Sequence, residues 1–203
     1  MDIDGKVTWL MGPEYGRHPF GNAAFLVDPG GNILYADEHS RLMIRYTDGR
    51  IEPRGVDAAF DDIRLLAWGP DGDIYVLDGL LIKVIAPDHS VRTLDLIHSS
   101  AETEFRRGGG LDGVIIFDMI VDPQGHIFLA DWGRQKVLRI SSQGAVIQLY
   151  NDSEHYGPEG LAFRDGGLAV FESSRPRANQ GIVPRLLLLG HNGEASIAYD
   201  YSE

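Results

Sequence analysis

Four segments of the chain repeat one pattern: Asp28-Pro29-Gly30-Gly31-Asn32-Ile33-Leu34-Tyr35-Ala36-Asp37, Gly69-Pro70-Asp71-Gly72-Asp73-Ile74-Tyr75-Val76-Leu77-Asp78, Asp122-Pro123-Gln124-Gly125-His126-Ile127-Phe128-Leu129-Ala130-Asp131, and the shorter Arg164-Asp165-Gly166-Gly167-Leu168-Ala169-Val170-Phe171-Glu172. In each segment a turn leads into an apolar run that ends in an acid. These closing acids, Asp37, Asp78, Asp131 and Glu172, are spaced 41, 53 and 41 residues apart. A repeat of about 41 residues is the size of one propeller blade.

Each repeat divides into four short strands. The first is apolar, such as Met119-Ile120-Val121, and a Pro/Gly turn joins it to a second strand that is apolar on both faces. A third apolar strand, such as Leu81–Ile85, and a more polar fourth, such as Val91–Leu94, follow across another short turn. The pattern predicts an all-β propeller of four-stranded antiparallel blades, with units at about 23–54, 64–95, 117–150 and 159–200. A β-sandwich of hairpins is the alternative, and the recurrence of a whole four-strand unit favours the propeller.

One further strand is predicted before the first repeat. Residues 5–10 resemble the last strand of a blade, so the chain holds about four and a quarter blades. An open row of blades leaves an apolar face without a partner, which predicts self-association.

Composition excludes several classes of function. The 203 residues carry a net charge of −12, which repels phosphate backbones, so no nucleic-acid partner is expected. The absence of cysteine excludes disulfides, thiolate zinc sites and thiol catalysis. The longest apolar run, Ala23–Val27, is too short to span a bilayer, and residues 1–5 lack the features of a signal peptide. We therefore expect a cytoplasmic protein, or a secreted one if a signal has been removed.

The repeat resembles the NHL repeat, and it is similar to the repeats of the regucalcin/gluconolactonase and strictosidine-synthase-like six-bladed propellers. The resemblance extends from about Phe25 to Ala198. It implies the fold more strongly than the function, because such propellers host lactonases, lyases and binding proteins. Four blades instead of six leave three interpretations: an excerpt of a longer chain, a homo-oligomer that completes the ring, or a four-bladed ring.

Loop lengths indicate which rim carries function. The connections within 11–22, 55–63, 96–117, 151–160 and 173–184 are long and variable, and all fall on one rim, called here the long-loop rim. The turns on the opposite, short-turn rim are tight. Variable loops on a rigid scaffold are the usual place for binding and catalysis, so a small-molecule or protein partner is expected at the long-loop rim.

The resemblance also implies a metal ligand. Glu159-Gly160-Leu161-Ala162-Phe163 is similar to the Glu-Gly-Pro-x-Trp of gluconolactonase-like propellers, in which the Glu binds a divalent metal. Glu159 is therefore the metal candidate, for Ca²⁺, Mn²⁺, Mg²⁺ or Zn²⁺. Asn22, Asp62 and Asp118 lie one residue from the equivalent positions of the other blades. Neither a nucleotide nor haem is expected, since the glycine run 108–110 follows no strand-to-helix unit.

Other candidate side chains lie in the long loops. His155 and His18 are candidate general bases, because histidine titrates near neutral pH. The candidate ligand contacts are Arg106, Arg107, Asp112, Tyr156, Arg175, Arg177 and Asn179. The closing acids are expected to be structural, as acceptors of hydrogen bonds from the following turn.

Three functions remain open at this point. The first is a propeller that binds a small molecule, glycan or protein on its long-loop rim. The second is a gluconolactonase-like, metal-dependent hydrolase of a lactone or ester. The third is a structural repeat module of a larger assembly.

Overall fold

The computed structural model describes residues 24–55, 60–94, 113–152, 156–164, 166–174, 182–190 and 193–200. Within these ranges the chain forms sixteen strands, which pair antiparallel into four four-stranded sheets. The strand order in each sheet follows the chain, so each sheet is a meander of four consecutive strands. No helix in the described ranges has the length and apolar character needed to cross a membrane.

Each sheet corresponds to one sequence repeat. The first sheet contains β1 (Phe25–Val27), β2 (Ile33–Ala36), β3 (Leu42–Arg45) and β4 (Ile51–Pro53). The second contains β5 (Ile63–Trp68), β6 (Ile74–Asp78), β7 (Leu81–Ile85) and β8 (Val91–Leu94). The third contains β9 (Ile116–Val121), β10 (Ile127–Asp131), β11 (Lys136–Ile140) and β12 (Val146–Asn151). The fourth contains β13 (Tyr156–Arg164), β14 (Gly167–Ser174), β15 (Pro184–Gly190) and β16 (Ala195–Asp200).

The repeated turn motif has a direct local cause. In the first sheet the Asp28 carboxylate accepts hydrogen bonds from the Asn32 backbone N–H and side-chain amide, both at 2.8 Å. In the third sheet the Asp122 carboxylate makes the same two contacts with the backbone N–H and Nδ1 of His126, also at 2.8 Å. In each turn a glycine lies between the Asp and the residue that it contacts: Gly31 has a φ of +82° and Gly125 a φ of +77°, values that residues with a side chain rarely adopt. The side chain of the first residue, Asp, therefore stabilises each Asp-Pro-x-Gly turn.

Apolar clusters join the sheets in chain order. One cluster joins the first and second sheets, and its members include Leu34 and Val76. A second joins the second and third sheets, and a third joins the third and fourth, with Phe128 and Val170 among its members. The innermost strands β1, β5, β9 and β13 also contact one another in series. Each fully buried large side chain in these clusters stabilises the fold by about 1.5–3 kcal/mol.

This packing confirms the all-β prediction and excludes the β-sandwich. The second and third sheets are each covered on both faces, as in a row of blades. In the part of the chain that the structure describes, no apolar cluster joins the fourth sheet to the first. The predicted strand at 5–10 lies outside the described residues.

The two ends of the row present apolar side chains to solvent. On the fourth sheet, Phe171 and Tyr199 flank Leu186 on the face that points away from the third sheet, and they are 43% and 54% exposed. On the first sheet, Phe25 and Val27 are 56% and 52% exposed. Strand alternation places both sets on the side opposite to the neighbouring core cluster.

Candidate functional site

The closing acids lie at the long-loop rim, and each contacts a basic side chain of its own sheet. Asp37 contacts Arg41, Asp78 contacts Lys83, Asp131 contacts Arg134, and Glu172 contacts Arg185. In the first three sheets the acid also accepts backbone hydrogen bonds, from residues 39 and 41, from 61 and 62, and from 115 and 134 respectively. The predicted structural role is confirmed for these three acids. For Asp78 the backbone donors come from the segment before the sheet instead of the following turn.

Glu172 departs from this scheme. Its side chain is fully buried, and its Oε2 accepts a hydrogen bond of 2.8 Å from Arg185 Nε. In the described structure Oε1 is buried without any hydrogen-bond partner. Burial raises the pKa of the Glu172 carboxyl from its ordinary value of 4.5 to about 8. An acid that holds its proton near neutral pH is therefore enclosed between the third and fourth sheets.

Arg185 is the centre of a polar cluster in this seam. Its guanidinium is 4% exposed, pairs with Asp152, and donates a hydrogen bond of 3.0 Å to the Tyr150 hydroxyl. The Tyr150 hydroxyl in turn donates to Asp152 Oδ2 at 3.0 Å. The guanidinium also lies over the Tyr156 ring, 3.8 Å from its centroid. We call Glu172, Arg185, Asp152, Tyr150 and Tyr156 the Arg185 cluster.

The charges of the Arg185 cluster favour a protonated Glu172. One guanidinium faces two carboxyl groups, Asp152 and Glu172, and all three are buried. An uncompensated charge in this low-dielectric seam is costly, and a proton on Glu172 leaves the cluster balanced. Tyr150 and Tyr156 are only half-buried, so they form the accessible edge of the cluster.

Trp132 closes the adjacent part of the seam. Its ring packs edge-on against Phe117, with 5.7 Å between the centroids. A Cβ atom on Gly157 would lie 2.4 Å from the same ring, so the start of β13 approaches the indole more closely than any side chain allows. Trp132 therefore reports directly on the packing of the third sheet against the fourth.

The predicted metal ligands are engaged in other contacts. Glu159, at a bulge in β13, accepts a hydrogen bond from the Ser173 hydroxyl. Asp118 accepts from the backbone N–H of Met119 at 2.8 Å and of Leu161 at 2.7 Å, which ties β9 to β13. Burial raises the pKa of Asp118, and these two hydrogen bonds oppose that rise. Asp62 accepts from Arg64 at 2.7 Å.

These three carboxylates do not fit a shared metal site. No three acidic or histidine side chains in the described ranges come together in a group that would hold a metal ion. Asn22, the fourth predicted ligand, lies outside those ranges. The divalent cation stays a prediction from the resemblance.

Of the predicted catalytic and ligand-contact residues, Tyr156 is the one that the structure describes, and it stacks on Arg185. The others lie outside the described residues: His155, His18, Arg106, Arg107, Asp112, Arg175, Arg177 and Asn179.

Sequence reasoning missed Arg185, Asp152 and Tyr150. Two signals could have found the cluster. Glu172 is the one closing acid that is not Asp, and Arg185 directly precedes the run Leu186–Leu189 at a position whose strand alternation points inward.

Comparisons with known proteins support the fold. No family model matches the chain, and no curated protein sequence matches it significantly. Among solved structures, the chain is similar to a streptogramin B lyase, with 16% identity, a TM-score of 0.63, and coverage of 100% of this chain and 61% of that one. A virginiamycin B lyase from Staphylococcus aureus, solved with quinupristin, gives 13% identity and a TM-score of 0.58 over 89% of this chain and 56% of that one.

A protein described as a gluconolactonase is similar to the same degree. Its identity is 14% and its TM-score is 0.58, over 95% of this chain and 66% of that one. All three neighbours are β-propellers, and at these identities the likeness shows the fold alone. The chain spans less than two thirds of the length of each of these three neighbours. The predicted β-propeller fold is confirmed.

Proposed function

We propose that this chain is a ligand-binding β-propeller module that takes a small hydroxyl-bearing molecule, such as a glycan, on its long-loop rim at the seam of the third and fourth sheets. The Arg185 cluster is the observation that carries this proposal. Glu172 Oε1 is a buried polar atom with no partner among the described residues, and such an atom costs about 1–3 kcal/mol. The same seam is filled elsewhere by leucine, valine and phenylalanine. An unpaired buried oxygen on a carboxyl with a shifted pKa, located at a rim, is characteristic of a functional site.

The chemistry of the cluster suits a hydroxyl-bearing ligand. Tyr150 and Tyr156 form its half-buried edge, and tyrosine offers both an apolar ring and a polar hydroxyl. The Tyr150 hydroxyl is held by Arg185 and Asp152, so its orientation is set before a ligand arrives. Pre-organised polar groups of this kind lower the entropy cost of binding.

Trp132 provides the test. In a protein with Trp9 and Trp68 replaced by Phe, Trp132 is the one remaining tryptophan. We expect one member of a panel of neutral mono- and oligosaccharides to change Trp132 fluorescence saturably and to raise the melting temperature. Tyr156→Leu should weaken that binding about tenfold or more.

Tyr46→Leu is the matched control. Tyr46 is also half-buried beneath an arginine, with the Arg50 guanidinium 4.2 Å from its ring centroid, but it belongs to the first sheet. Binding should be unchanged in this variant. An equal loss in both variants, or no response to any panel member, would contradict the proposal.

The alternative is a gluconolactonase-like, metal-dependent hydrolase of a lactone or ester. It is supported by the likeness to the gluconolactonase and by the place of Glu159 on an innermost strand. Melting curves after chelation, and then with Ca²⁺, Mn²⁺, Mg²⁺ or Zn²⁺, separate the two functions. A rise of roughly 5–10 °C for one ion, abolished by Glu159→Ala, would favour the hydrolase. A flat response would favour the binding module.

The uncovered apolar face of the fourth sheet favours a further candidate, a structural repeat unit. Phe171 and Tyr199 form that face, and Phe25 and Val27 form the opposite end of the row. A second copy of the chain placed head to tail would cover both ends, which supports a homo-oligomer that completes the ring. Light scattering distinguishes this assembly from a monomer, and Phe171→Ser should shift the mass towards the monomer.

A further inference from the structure

A cavity lies on the side of the molecule opposite to the Arg185 cluster. It has a volume of about 370 Å³ and opens between the β9–β10 turn and the adjoining ends of β13 and β14, at the short-turn rim. Its lining includes Phe128, Phe163, Leu168, His126, Arg139 and Arg164. None of these residues belongs to the Arg185 cluster, so this groove is independent of the proposed rim site.

The floor of the groove is aromatic and partly open. Phe128 and Phe163 meet edge to face, with 5.5 Å between their centroids and 84° between their planes. Phe128 is buried in the core between the third and fourth sheets, whereas Phe163 is 48% exposed. An exposed phenylalanine beside a buried one offers a flat apolar surface to a ligand.

Two arginines that have no acidic partner among the described residues line the same groove. Arg139 pairs in register with Phe128 and is half-buried, and Arg164 ends β13 and is exposed. Among the described residues, neither guanidinium has an ion pair or a hydrogen bond, whereas Arg41, Arg134 and Arg185 are all paired with carboxylates. In a chain with a net charge of −12, these two arginines outnumber the one carboxylate, Asp122, among the described residues of the lining, so the groove is a local site of opposite sign.

Asp122 is the one carboxylate among the described residues that line the groove, and its oxygens are engaged in hydrogen bonds. Asp122 accepts hydrogen bonds from the backbone N–H of Gln124 at 2.9 Å and of His126 at 2.8 Å, and its second oxygen contacts His126 Nδ1 at 2.8 Å. Its oxygens therefore hold the turn together, while its charge offsets one of the two arginines and leaves a net charge of +1 on the described residues of the lining.

We propose that this groove binds a small organic anion, a carboxylate on an aromatic or other apolar body. The carboxylate would contact Arg139 and Arg164, whose planar guanidinium groups match its geometry. The apolar body would lie on Phe163 and Phe128. A cavity of about 370 Å³ is large enough for such a molecule, since ligand pockets occupy roughly 300–1,000 Å³.

The test uses the full chain and three probes in calorimetric titrations: naphthalene-2-carboxylate, naphthalene-2-carboxamide and inorganic phosphate. We expect one equivalent of the carboxylate to bind, with the neutral amide and phosphate each at least tenfold weaker. Arg139→Gln and Arg164→Gln should each weaken carboxylate binding about fivefold or more. Phe163→Ala should weaken the carboxylate and the amide alike.

Two control variants make the test specific. Arg50→Gln removes an exposed arginine of the first sheet and should leave binding unchanged. Phe171→Ser alters the uncovered face of the fourth sheet and should also leave it unchanged. The proposal is overturned if the carboxylate does not bind at millimolar concentration, if the amide or phosphate binds equally well, or if the loss follows Phe171 instead of Arg139 and Arg164. Unchanged melting temperatures for the two glutamine variants establish that they are folded.

Discussion

Asp131 of the third sheet and Glu172 of the fourth occupy the same position of the repeat, yet their surroundings differ. Asp131 accepts hydrogen bonds from the backbone N–H groups of Ile115 and Arg134 and from the Arg134 side chain, so both of its oxygens have donors. Glu172 accepts one hydrogen bond, from Arg185, and leaves Oε1 without a partner in the described structure. The repeat therefore determines that an acid lies at this rim. The hydrogen-bond donors that surround the acid determine whether it is structural or available for function.

Removing the arginine that pairs with each acid should give the largest difference in stability between the two positions. Arg185→Leu leaves the Asp152 carboxylate buried without a cation and removes the hydrogen bond to Glu172, and breaking a buried ion pair in this way costs about 3–5 kcal/mol. The melting temperature should fall by roughly 6–20 °C, since each kcal/mol corresponds to about 2–4 °C in a chain of this size. Differential scanning calorimetry measures this change.

Arg134→Leu is the matched variant in the third sheet. Asp131 keeps its backbone donors there, so the loss should be about half as large, near the 1.5–3 kcal/mol of one hydrogen bond to a charged group. Equal losses in the two variants would contradict the distinction between the sheets.

The pH dependence of the free energy of unfolding should show the next largest effect, which comes from the titration of Glu172. The pKa of Glu172 is about 8 in the folded protein and near its ordinary 4.5 in the unfolded chain. The contribution of Glu172 is therefore fully present below pH 4.5 and is lost as pH rises to 8. In this window the free energy of unfolding should fall by up to about 1.4 kcal/mol per pH unit because of Glu172. Urea denaturation at a series of pH values should show that Glu172→Gln removes this slope.

Asp37→Asn serves as the control for that series. Burial acts to raise the pKa of Asp37, but hydrogen bonds from Arg41 lower it overall. The stability from Asp37 is therefore present above its unfolded pKa and is lost only as pH falls below that value. A slope between pH 4.5 and 8 that survives Glu172→Gln, or that disappears in Asp37→Asn, would assign the titration to another group.

Gly157→Ala should disturb the seam between the two sheets to a smaller extent. The added Cβ would lie 2.4 Å from the Trp132 ring, and such overpacking typically costs about 1–3 kcal/mol. Gly160→Ala, in the same strand, meets its nearest neighbour at 3.7 Å and should be nearly neutral. Trp132 fluorescence and urea midpoints test both, and a neutral Gly157→Ala would show that the ring does not close the seam.

Asp118→Asn should have the smallest effect. The amide oxygen still accepts from Leu161 or Met119, and the buried charge is removed, so the free energy of unfolding should change by less than about 1 kcal/mol. A loss of several kcal/mol in urea denaturation would give Asp118 a larger structural role than two backbone contacts explain.

The strands were predictable where an apolar run lies between two tight turns. β7 (Leu81–Ile85) and β8 (Val91–Leu94) have the predicted bounds, because turn residues and side-chain character change together at their ends. β13 begins at Tyr156, well before the predicted apolar run. Its first residues, Tyr156-Gly157-Pro158-Glu159-Gly160, have the composition of a loop, yet they pair with β14 around a bulge.

The site was less predictable because its contacts are distant in sequence. Asp152 and Arg185 are 33 residues apart, and no local pattern shows that β12 and β15 bring them together. A buried acid and an ordinary turn acid also look alike in a repeat. The Glu at position 172, where the other repeats have Asp, and the Arg at position 185 were the visible signals, and neither could be interpreted without the other.

The central claim is that Glu172 is a buried carboxyl with one oxygen unpaired in the described structure, whereas the equally buried Asp131 accepts hydrogen bonds at both of its oxygens. An NMR titration of the side-chain carboxyl carbons in glutamate-labelled protein measures its pKa directly, with Glu172→Gln to assign the signal. We predict a midpoint pKa of about 8. A midpoint between pH 4 and 5 would contradict the account, because it would show that Glu172 is solvated or fully paired like an ordinary surface acid.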